Sequence, residues 1–334
     1  MALLTVRDLS VEFPASGAAV RAVRRVSLSV QDGEVVGLVG ESGSGKTAAM
    51  MAIPGLLPSA AHVAGSVRFA GRELLGAREQ ELRRIRGARI GVVFQDPLSA
   101  LNPTMPVGRQ VAEVVVHHLH LGWREARERA VELLASVDLP DPGRRAAEYP
   151  HQWSGGMRQR ALIAMALAAR PSLLIADEPT SALDARVATE VAELLLRLQS
   201  ELGMAVLLAS HDLGLIARLA DRVLVMYGGQ IVESGGCADV LLGRAHPYTS
   251  ALMGAVPGGG APGTALSAIP GEPPDASRRD AGCAFAARCP HVMYGCLRAA
   301  PPPYPVPGKI GHVACCWRYH PDAPSADGGA HGRT

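Results

Sequence analysis

Hydrophobic positions along residues 3–254 follow two patterns, short β-branched runs and longer stretches with helical spacing. Their alternation predicts an α/β domain in which helices surround a sheet. The short runs predict strands over Leu4–Phe13, Ala22–Val30, Glu34–Val39, Arg89–Phe94, Ser172–Ala176, Ala205–Ala209 and Arg222–Met226. The helical spacing predicts helices over Lys46–Ile53, Val107–His120, Arg124–Ser136, Ser154–Ala169, Ala185–Leu202 and Leu213–Leu219.

The same patterns predict how the chain is divided. Within a domain over residues 1–254, the helix-rich segment at about 96–169 interrupts the strands and predicts an inserted helical subdomain. Closely spaced Pro and Gly over 256–274 favour a flexible or extended connector. Residues 255–320 hold most of the cysteines and predict a small metal-stapled C-terminal module, and we expect the tail at 321–334 to be disordered.

Composition permits a large core, because 48% of the residues are hydrophobic and 19% are charged. Lys and Arg (33) nearly balance Asp and Glu (31), which gives no sign of nucleic-acid binding. The longest apolar run, Ala161–Ala169, is too short to span a bilayer, and early charge argues against a secretory leader. We therefore expect a soluble, cytoplasmic protein whose membrane role would depend on a partner.

A phosphate-binding loop is predicted between the strand at 34–39 and the helix that follows it. Its backbone N–H groups can point at the β-phosphate, the Lys46 ammonium can reach the β- and γ-phosphates, and the Thr47 hydroxyl can ligate Mg²⁺. The alternative is a glycine-rich turn before a helix, which the strand and helix on either side disfavour. The residues that fit G-x-x-x-x-G-K-[ST] are Gly40, Glu41, Ser42, Gly43, Ser44, Gly45, Lys46 and Thr47.

Polar side chains end three predicted strands. Asp177 suits contact with Mg²⁺ or its water, and Glu178 is placed to activate water as a general base. Gln95 can ligate Mg²⁺ or hydrogen-bond the lytic water, and His211 can sense the γ-phosphate. Taken alone, each would be better explained as a loop or structural residue, so these roles depend on the whole set.

A second anion site is predicted where Ser154, Gly155, Gly156 and Met157 begin a helix. The backbone N–H groups and the hydroxyl at such a helix N-terminus attract negative charge. Two anion sites in a chain with one nucleotide motif suggest that the second serves a nucleotide bound elsewhere.

Cysteines cluster in the last fifth of the chain, and Cys237 stands apart as a small hydrophobe. In a reducing compartment, such a group of cysteines indicates binding of a metal ion or a metal cluster in preference to disulfide formation. Its spacing, C-x5-C-x6-C-x18-C, fits neither zinc fingers nor the ferredoxin run. The clustered residues are Cys283, Cys289, Cys296, Cys315 and Cys316.

The order and spacing of these motifs resemble the ATP-binding cassette (ABC) family of transport ATPases over roughly residues 3–254. The resemblance implies a P-loop NTPase with a RecA-like core, an antiparallel β subdomain and the helical insert. In that family two cassettes pack head to tail, so that Ser154–Met157 would contact the partner's ATP and the D-loop would end at Asp184. It implies ATP and Mg²⁺ as cofactors, with Thr47, Gln95 and Asp177 at the metal, and it makes Phe13 the candidate for stacking on adenine.

The sequence around Ser154, together with His246-Pro-Tyr-Thr249 and residues 269–274, is similar to the oligopeptide/dipeptide/nickel importer subfamily. Trp153 departs from it, because Leu or Phe is usual there. The Gly-Gly-Met-Arg form resembles the first of two non-identical ATPase subunits. The resemblance implies peptide or similar solute import, with a second ATPase subunit, two permeases and an extracytoplasmic solute-binding protein as partners at the cytoplasmic face of the membrane.

The tail also resembles that subfamily. The resemblance implies that some members of the subfamily carry a [4Fe–4S] cluster. The implied ligands are Cys283, Cys289, Cys296 and Cys315, with zinc and free thiols as alternatives and no role for Cys316. Two alternatives to the import function remain open. One is a cassette ATPase that acts on DNA or ribosomes, which the lack of a heptad run and of a basic patch disfavours. The other is a redox or metal sensor.

Overall fold

The computed structural model describes residues 2–15, 17–255, 269–277 and 281–321. Most of the predicted connector and nearly all of the predicted disordered tail lie outside these residues. The described strands are β1 (Leu4–Phe13), β2 (Val20–Val30), β3 (Val35–Val39), β4 (His62–Phe69), β5 (Arg72–Glu73), β6 (Ile90–Val93), β7 (Leu173–Asp177), β8 (Ala205–Ser210), β9 (Arg222–Tyr227), β10 (Gln230–Gly236), β11 (Tyr304–Pro305) and β12 (Val313–Ala314).

Helices separate most of these strands. They are α1 (Lys46–Ala52), α2 (Glu79–Ile85), α3 (Pro97–Ala100), α4 (Val107–Leu119), α5 (Trp123–Ser136), α6 (Pro142–Arg145), α7 (Gly155–Leu167), α8 (Ala185–Leu202), α9 (Leu213–Leu219), α10 (Cys237–Gly243), α11 (Pro247–Gly254) and α12 (Tyr294–Arg298). Short 3₁₀ helices add Pro150–Gln152, Ala286–Arg288 and Trp317–Tyr319.

The large sheet has the strand order β11-β12-β10-β9-β3-β8-β7-β6. Its five central strands, from β9 to β6, are parallel. Parallel strands covered on both faces are expected to read as continuous apolar runs, and β3 and β7 are buried at every position. This explains why the sequence pattern located these strands.

Two hydrophobic clusters cover the two faces of the large sheet. Side chains alternate along a strand, so Val35 and Val39 join one cluster while Val36 and Leu38 join the other. The first cluster is completed by helices α4, α5, α7, α8 and α9. The second is completed by α1 and by an antiparallel sheet of order β2-β1-β4-β5.

The C-terminal cysteine-rich segment is joined to the large sheet. Strand β12 pairs antiparallel with β10, with Glu233 opposite Ala314, and β11 pairs with β12. Because an unpaired edge exposes backbone N–H and C=O groups, this addition protects β10. The segment therefore extends the sheet that carries the nucleotide motifs, instead of standing apart from it.

Candidate functional site

The register of the parallel strands brings the predicted site residues to one edge of the sheet. Val39 pairs with Ser210 at the carboxyl ends of β3 and β8, and Asp177 pairs with Ala209. Residues that follow these strands therefore lie level with one another. The carboxyl edge of a parallel sheet is where ligands bind in open α/β folds.

The phosphate loop turns sharply from β3 into α1. Gly40 and Gly45 have φ values of +156° and +101°. A Cβ atom at Gly40 would lie 2.2 Å from the Met226 carbonyl oxygen, and one at Gly45 would lie 2.1 Å from that of Ala22. The loop thus packs against neighbouring backbone so closely that only glycine fits at these two positions.

Lys46 is held at the start of α1 and its side chain is only 5% exposed. Its Nζ atom donates to the carbonyl oxygens of Gly40 at 2.9 Å and Glu41 at 3.2 Å. The same atom lies 3.5 Å from Glu178 Oε1. A buried ammonium needs such partners, and they hold its charge inside the curve of the phosphate loop.

Thr47 and Asp177 meet at the bottom of the site. The Thr47 side chain is hydrogen-bonded to the Asp177 carboxylate. Within the described residues, the buried Oδ1 atom of Asp177 has no hydrogen-bond partner. Burial raises the pKa of Asp177, a rise that the Thr47 hydrogen bond opposes and that the charge of Glu178 increases. An unpaired carboxylate oxygen beside a hydroxyl fits a Mg²⁺ ion, which takes oxygen ligands.

Glu178 is the centre of the remaining predicted catalytic set. Its Oε2 atom lies 3.0 Å from His211 Nδ1 and accepts a hydrogen bond from Gln95 Nε2 at 3.3 Å. Its backbone has φ = +46°, a conformation uncommon for a residue with a side chain. Gln95, Lys46, Glu178 and His211 come from four separate segments, and the structure brings all four together.

These residues line an open cleft of about 900 Å³. Phe13 is half-buried and packs against the second hydrophobic cluster. Ala22 and Asp96 belong to the lining although the sequence patterns gave no reason to select them, and Phe13 is outside the described lining. The described lining consists of Ala22, Ser42, Gly43, Gly45, Lys46, Thr47, Ala48, Gln95, Asp96, Glu178, Ser181, Ala182 and His211.

No residue of Ser154–Met157 belongs to the described lining of the cleft, although Gly155 lies close to Ala182, which does. Exposed Ser154 caps α7, and its Oγ atom accepts a hydrogen bond from the Met157 N–H at 3.3 Å. A Cβ atom at Gly156 would meet Val187 Cγ1 at 2.5 Å, so α7 and α8 pack tightly here. Asp184 caps α8 in the same way, accepting from the Val187 N–H at 3.0 Å. The N-termini of α7 and α8 thus lie close together.

One contact to the phosphate loop was not predicted. Arg288, in the C-terminal segment, donates hydrogen bonds to both carboxylate oxygens of Glu41, and Tyr248 accepts one from the Glu41 N–H. Arg288 and Glu41 are 247 positions apart. No local pattern reveals a contact between residues so distant in sequence.

All of the cysteines lie within the described residues, and each is a free thiol. Burial raises the pKa of Cys283 and of Cys315 to about 11. The nearby Cys296, Cys316 and Cys289 contribute to the rise at Cys283. In the part of the chain that the structure describes, no three His, Cys, Asp or Glu side chains are grouped so that they could hold a metal ion. The described residues therefore give no support to the predicted cluster.

Two family models match the chain. One is described as ABC transporter and covers residues 23–181, and the other is described as Oligopeptide/dipeptide transporter, C-terminal region, and covers residues 232–296. No helix in the described residues is both long and apolar enough to cross a bilayer.

Curated relatives are similar along most of the chain. The oligopeptide transport ATP-binding protein OppD of Mycobacterium bovis is 50% identical over 95% of this chain, which spans only 52% of that relative's length. OppD of Escherichia coli is 45% identical over 92% of each protein. The dipeptide transport ATP-binding protein DppD of Bacillus subtilis is 44% identical over 94% of each.

Solved structures of ATP-binding cassettes share the fold. A dimeric cassette in a post-hydrolysis state, bound to ADP and Pi, matches with a TM-score of 0.64 and 30% identity over 70% of this chain and 98% of its own. The chain belongs to the ABC transporter family and, within it, to the group of oligopeptide and dipeptide transport ATP-binding proteins. The predicted α/β P-loop NTPase fold is thereby confirmed.

Proposed function

We propose that this chain binds and hydrolyses ATP as a subunit of an importer of oligopeptides, dipeptides or similar small solutes. The observation that carries the proposal is the convergence of Lys46, Gln95, Glu178 and His211 on one cleft beside the Thr47–Asp177 pair. The relatives' names support the solute class.

Nucleotide binding would use the phosphate loop, residues 40–47. Its backbone N–H groups and the Lys46 ammonium would hold the β- and γ-phosphates. The Ser44 hydroxyl is buried and lacks a partner among the described residues, so it too is available to a phosphate oxygen. Phe13 as the adenine-stacking residue stays a prediction.

Thr47, Asp177 and Gln95 would hold Mg²⁺, which when bound neutralises charge on the phosphates. Glu178 would accept the proton of the attacking water, as a general base in contact with the cleft. His211 fixes the Glu178 carboxylate from one side and would report on the γ-phosphate. Lys46 would stabilise the charge that develops during phosphoryl transfer.

The segment Ser154–Met157 would complete the ATP site of a partner subunit. Support comes from its position outside the described cleft lining and from Ser154, which is exposed at the N-terminus of a long helix. Asp184 begins the neighbouring helix α8 and would lie at the same interface. We infer that the partner is a second, non-identical ATPase subunit.

The assembly would also include two permease subunits and an extracytoplasmic solute-binding protein, with this chain at the cytoplasmic face of the membrane.

We divide the chain into an ATPase domain over residues 1–254, with its helical insert at 96–169, and a C-terminal extension. The match of the oligopeptide/dipeptide C-terminal model to residues 232–296 supports the extension.

The [4Fe–4S] cluster on Cys283, Cys289, Cys296 and Cys315 stays a prediction without support from the described residues. No step of the proposed mechanism passes through it. Iron and zinc analysis of anaerobically purified protein decides between a cluster, zinc and free thiols.

Substitution of Glu178 tests the proposed chemistry. Because a general base contributes about 10²–10⁴-fold, we expect Glu178→Gln to slow ATP hydrolysis by the assembled transporter at least about 100-fold. Binding of Mg²⁺–ADP should change less than about twofold, since Gln keeps the shape of the side chain. Glu128→Gln, at an exposed position on α5, is the matched control. Hydrolysis that survives Glu178→Gln would refute the assignment of the base.

A further inference from the structure

Arg288 connects the C-terminal segment to the phosphate loop through an ion pair in which the arginine is buried. Its side chain is only 4% exposed, and Nη1 and Nη2 donate to Glu41 Oε2 at 2.8 Å and Oε1 at 3.1 Å. Paired bonds of this kind fix both the position and the plane of a carboxylate. Glu41 is the second residue of the phosphate loop, so the contact reaches the nucleotide site directly.

Every N–H group of the Arg288 guanidinium has an acceptor. Beyond Glu41, Nη1 donates to the Tyr227 hydroxyl at 3.1 Å. Nη2 donates to the Ile269 carbonyl at 3.1 Å, and Nε donates to that of Pro270 at 2.8 Å. The hydrogen bonds to Glu41 raise the pKa of Arg288. A lysine could not satisfy this planar set of acceptors.

Glu41 transmits this anchoring to the rest of the loop. Its N–H donates to the Tyr248 hydroxyl at 2.8 Å, and its carbonyl accepts from Lys46 Nζ at 3.2 Å and from the Ser44 N–H at 3.2 Å. The side chain, the amide and the carbonyl of Glu41 are therefore each fixed. Two of these bonds lead to residues that would meet the phosphates.

Three packed aromatic side chains support the ion pair between Arg288 and Glu41. The ring centroids of Tyr227 and Tyr248 lie 4.4 Å apart, and Phe285 lies 5.2 Å from the first and 5.4 Å from the second. All three side chains are at most 2% exposed. Phe285 precedes Arg288 by three residues, so the C-terminal segment supplies both the arginine and part of its support.

We propose that Arg288 is a positioning residue for the nucleotide site, which it orders through Glu41 before nucleotide binds. The proposal rests on the proposed ATP-binding function. The C-terminal segment would then contribute to the ATP site through Arg288. Without Arg288, the carboxylate of Glu41 in the phosphate loop would have no anchor. Loops ordered before binding lose less conformational entropy when the ligand arrives.

Titration calorimetry with Mg²⁺–ADP on the full chain tests the proposal. We expect Arg288→Gln to raise the dissociation constant about tenfold, the effect of losing one charged bidentate contact. Arg288→Lys should recover only part of the affinity.

Glu41→Gln should weaken binding to a similar degree. The double variant, Glu41→Gln with Arg288→Gln, should bind no more weakly than either single variant, because both substitutions remove the same interaction. Amide hydrogen exchange over residues 40–47 should be faster in Arg288→Gln.

Arg298→Gln is the matched control, since Arg298 is an exposed arginine of the same segment that stacks on Tyr294 at 4.3 Å. It should bind Mg²⁺–ADP like the wild type. The inference is wrong if folded Arg288→Gln binds like the wild type, if the two substitutions add independently, or if Arg298→Gln weakens binding equally. Should Arg288→Gln not fold, wild-type affinity in Glu41→Gln overturns it instead. A wild-type chain whose binding is absent, or is unchanged by Lys46→Ala, refutes the proposed ATP function itself.

Discussion

Trp153 shows how one side chain can serve packing and hydrogen bonding together. It is 3% exposed and belongs to the first hydrophobic cluster, just before the N-terminus of α7. Its Nε1–H donates to Glu148 Oε2 at 2.9 Å, and Arg144 and Arg145 pair with the same carboxylate. The indole therefore keeps the apolar anchor that Leu or Phe would give and adds a bond to a charged group.

Trp153→Phe should lower the free energy of unfolding by about 2 kcal/mol, because the phenyl ring keeps most of the buried area but loses the hydrogen bond. Glu148 stays paired with its arginines, which limits the loss. Urea denaturation measures the change. Trp123→Phe, at a tryptophan that is 45% exposed, should have almost no effect. Equal losses in the two variants would show that the bond to Glu148 contributes nothing.

At the scale of elements, helix α11 is fixed by a buried neutral histidine. His246 caps the helix, where its Nδ1 atom accepts a hydrogen bond from the Tyr248 N–H at 3.0 Å. The ring is also hydrogen-bonded to the backbone of Cys315. Burial lowers the pKa of His246 to about 4, so the neutral ring is the form that the fold requires. This helix carries Tyr248 to the phosphate loop.

The lowered pKa of His246 predicts a loss of stability in acid. As the pH falls below about 6.5, the unfolded chain takes up a proton that the folded chain resists until about pH 4, so the stability present above 6.5 is lost in this window. Between about pH 7.5 and about pH 5 this amounts to about 2 kcal/mol. His246→Asn keeps a capping acceptor and should remove that part of the decline.

Chemical denaturation at the two pH values measures the difference. His62→Asn, at an exposed position on β4, is the control and should show the same decline as the wild type. A decline that His246→Asn leaves unchanged would contradict the assignment.

At the scale of the whole molecule, the C-terminal segment is joined to the body by contacts of unequal burial. Glu233 Oε1 on β10 and His312 Nε2 before β12 are hydrogen-bonded at 2.7 Å, and both side chains are fully buried. Glu233 also accepts hydrogen bonds from the N–H groups of Ala245 and His246. Lys309 and Asp239 form a second pair at 2.6 Å across the same junction, at the surface.

Breaking the buried pair should cost far more than breaking the exposed one. We expect His312→Ala to lower the free energy of unfolding by about 3 kcal/mol, because it leaves a cavity and removes the partner of a buried carboxylate. Lys309→Ala should have a barely measurable effect, since solvent screens an exposed pair. Thermal and urea denaturation of both variants provide the comparison. Similar losses would mean that burial does not decide how the segment is held.

Local patterns in the sequence were enough to predict the central strands, the α/β fold and the nucleotide motifs. Strands β3 and β7 are apolar throughout, and the glycines of the phosphate loop follow a spacing that steric contact imposes. Such signals are local, because each depends on residues close together in the chain. By contrast β4 is mostly exposed and is interrupted by Gly65, so it lacked the alternation that a pattern can detect.

Contacts between residues far apart in the chain became known from the three-dimensional fold. It placed Gln95 and His211 on the Glu178 carboxylate, added β12 to the edge of the sheet, and set Arg288 against Glu41. None of these contacts leaves a mark in the nearby sequence, since each depends on strand register or on packing between segments far apart. The phosphate loop is therefore a local motif whose position the C-terminal segment helps to fix.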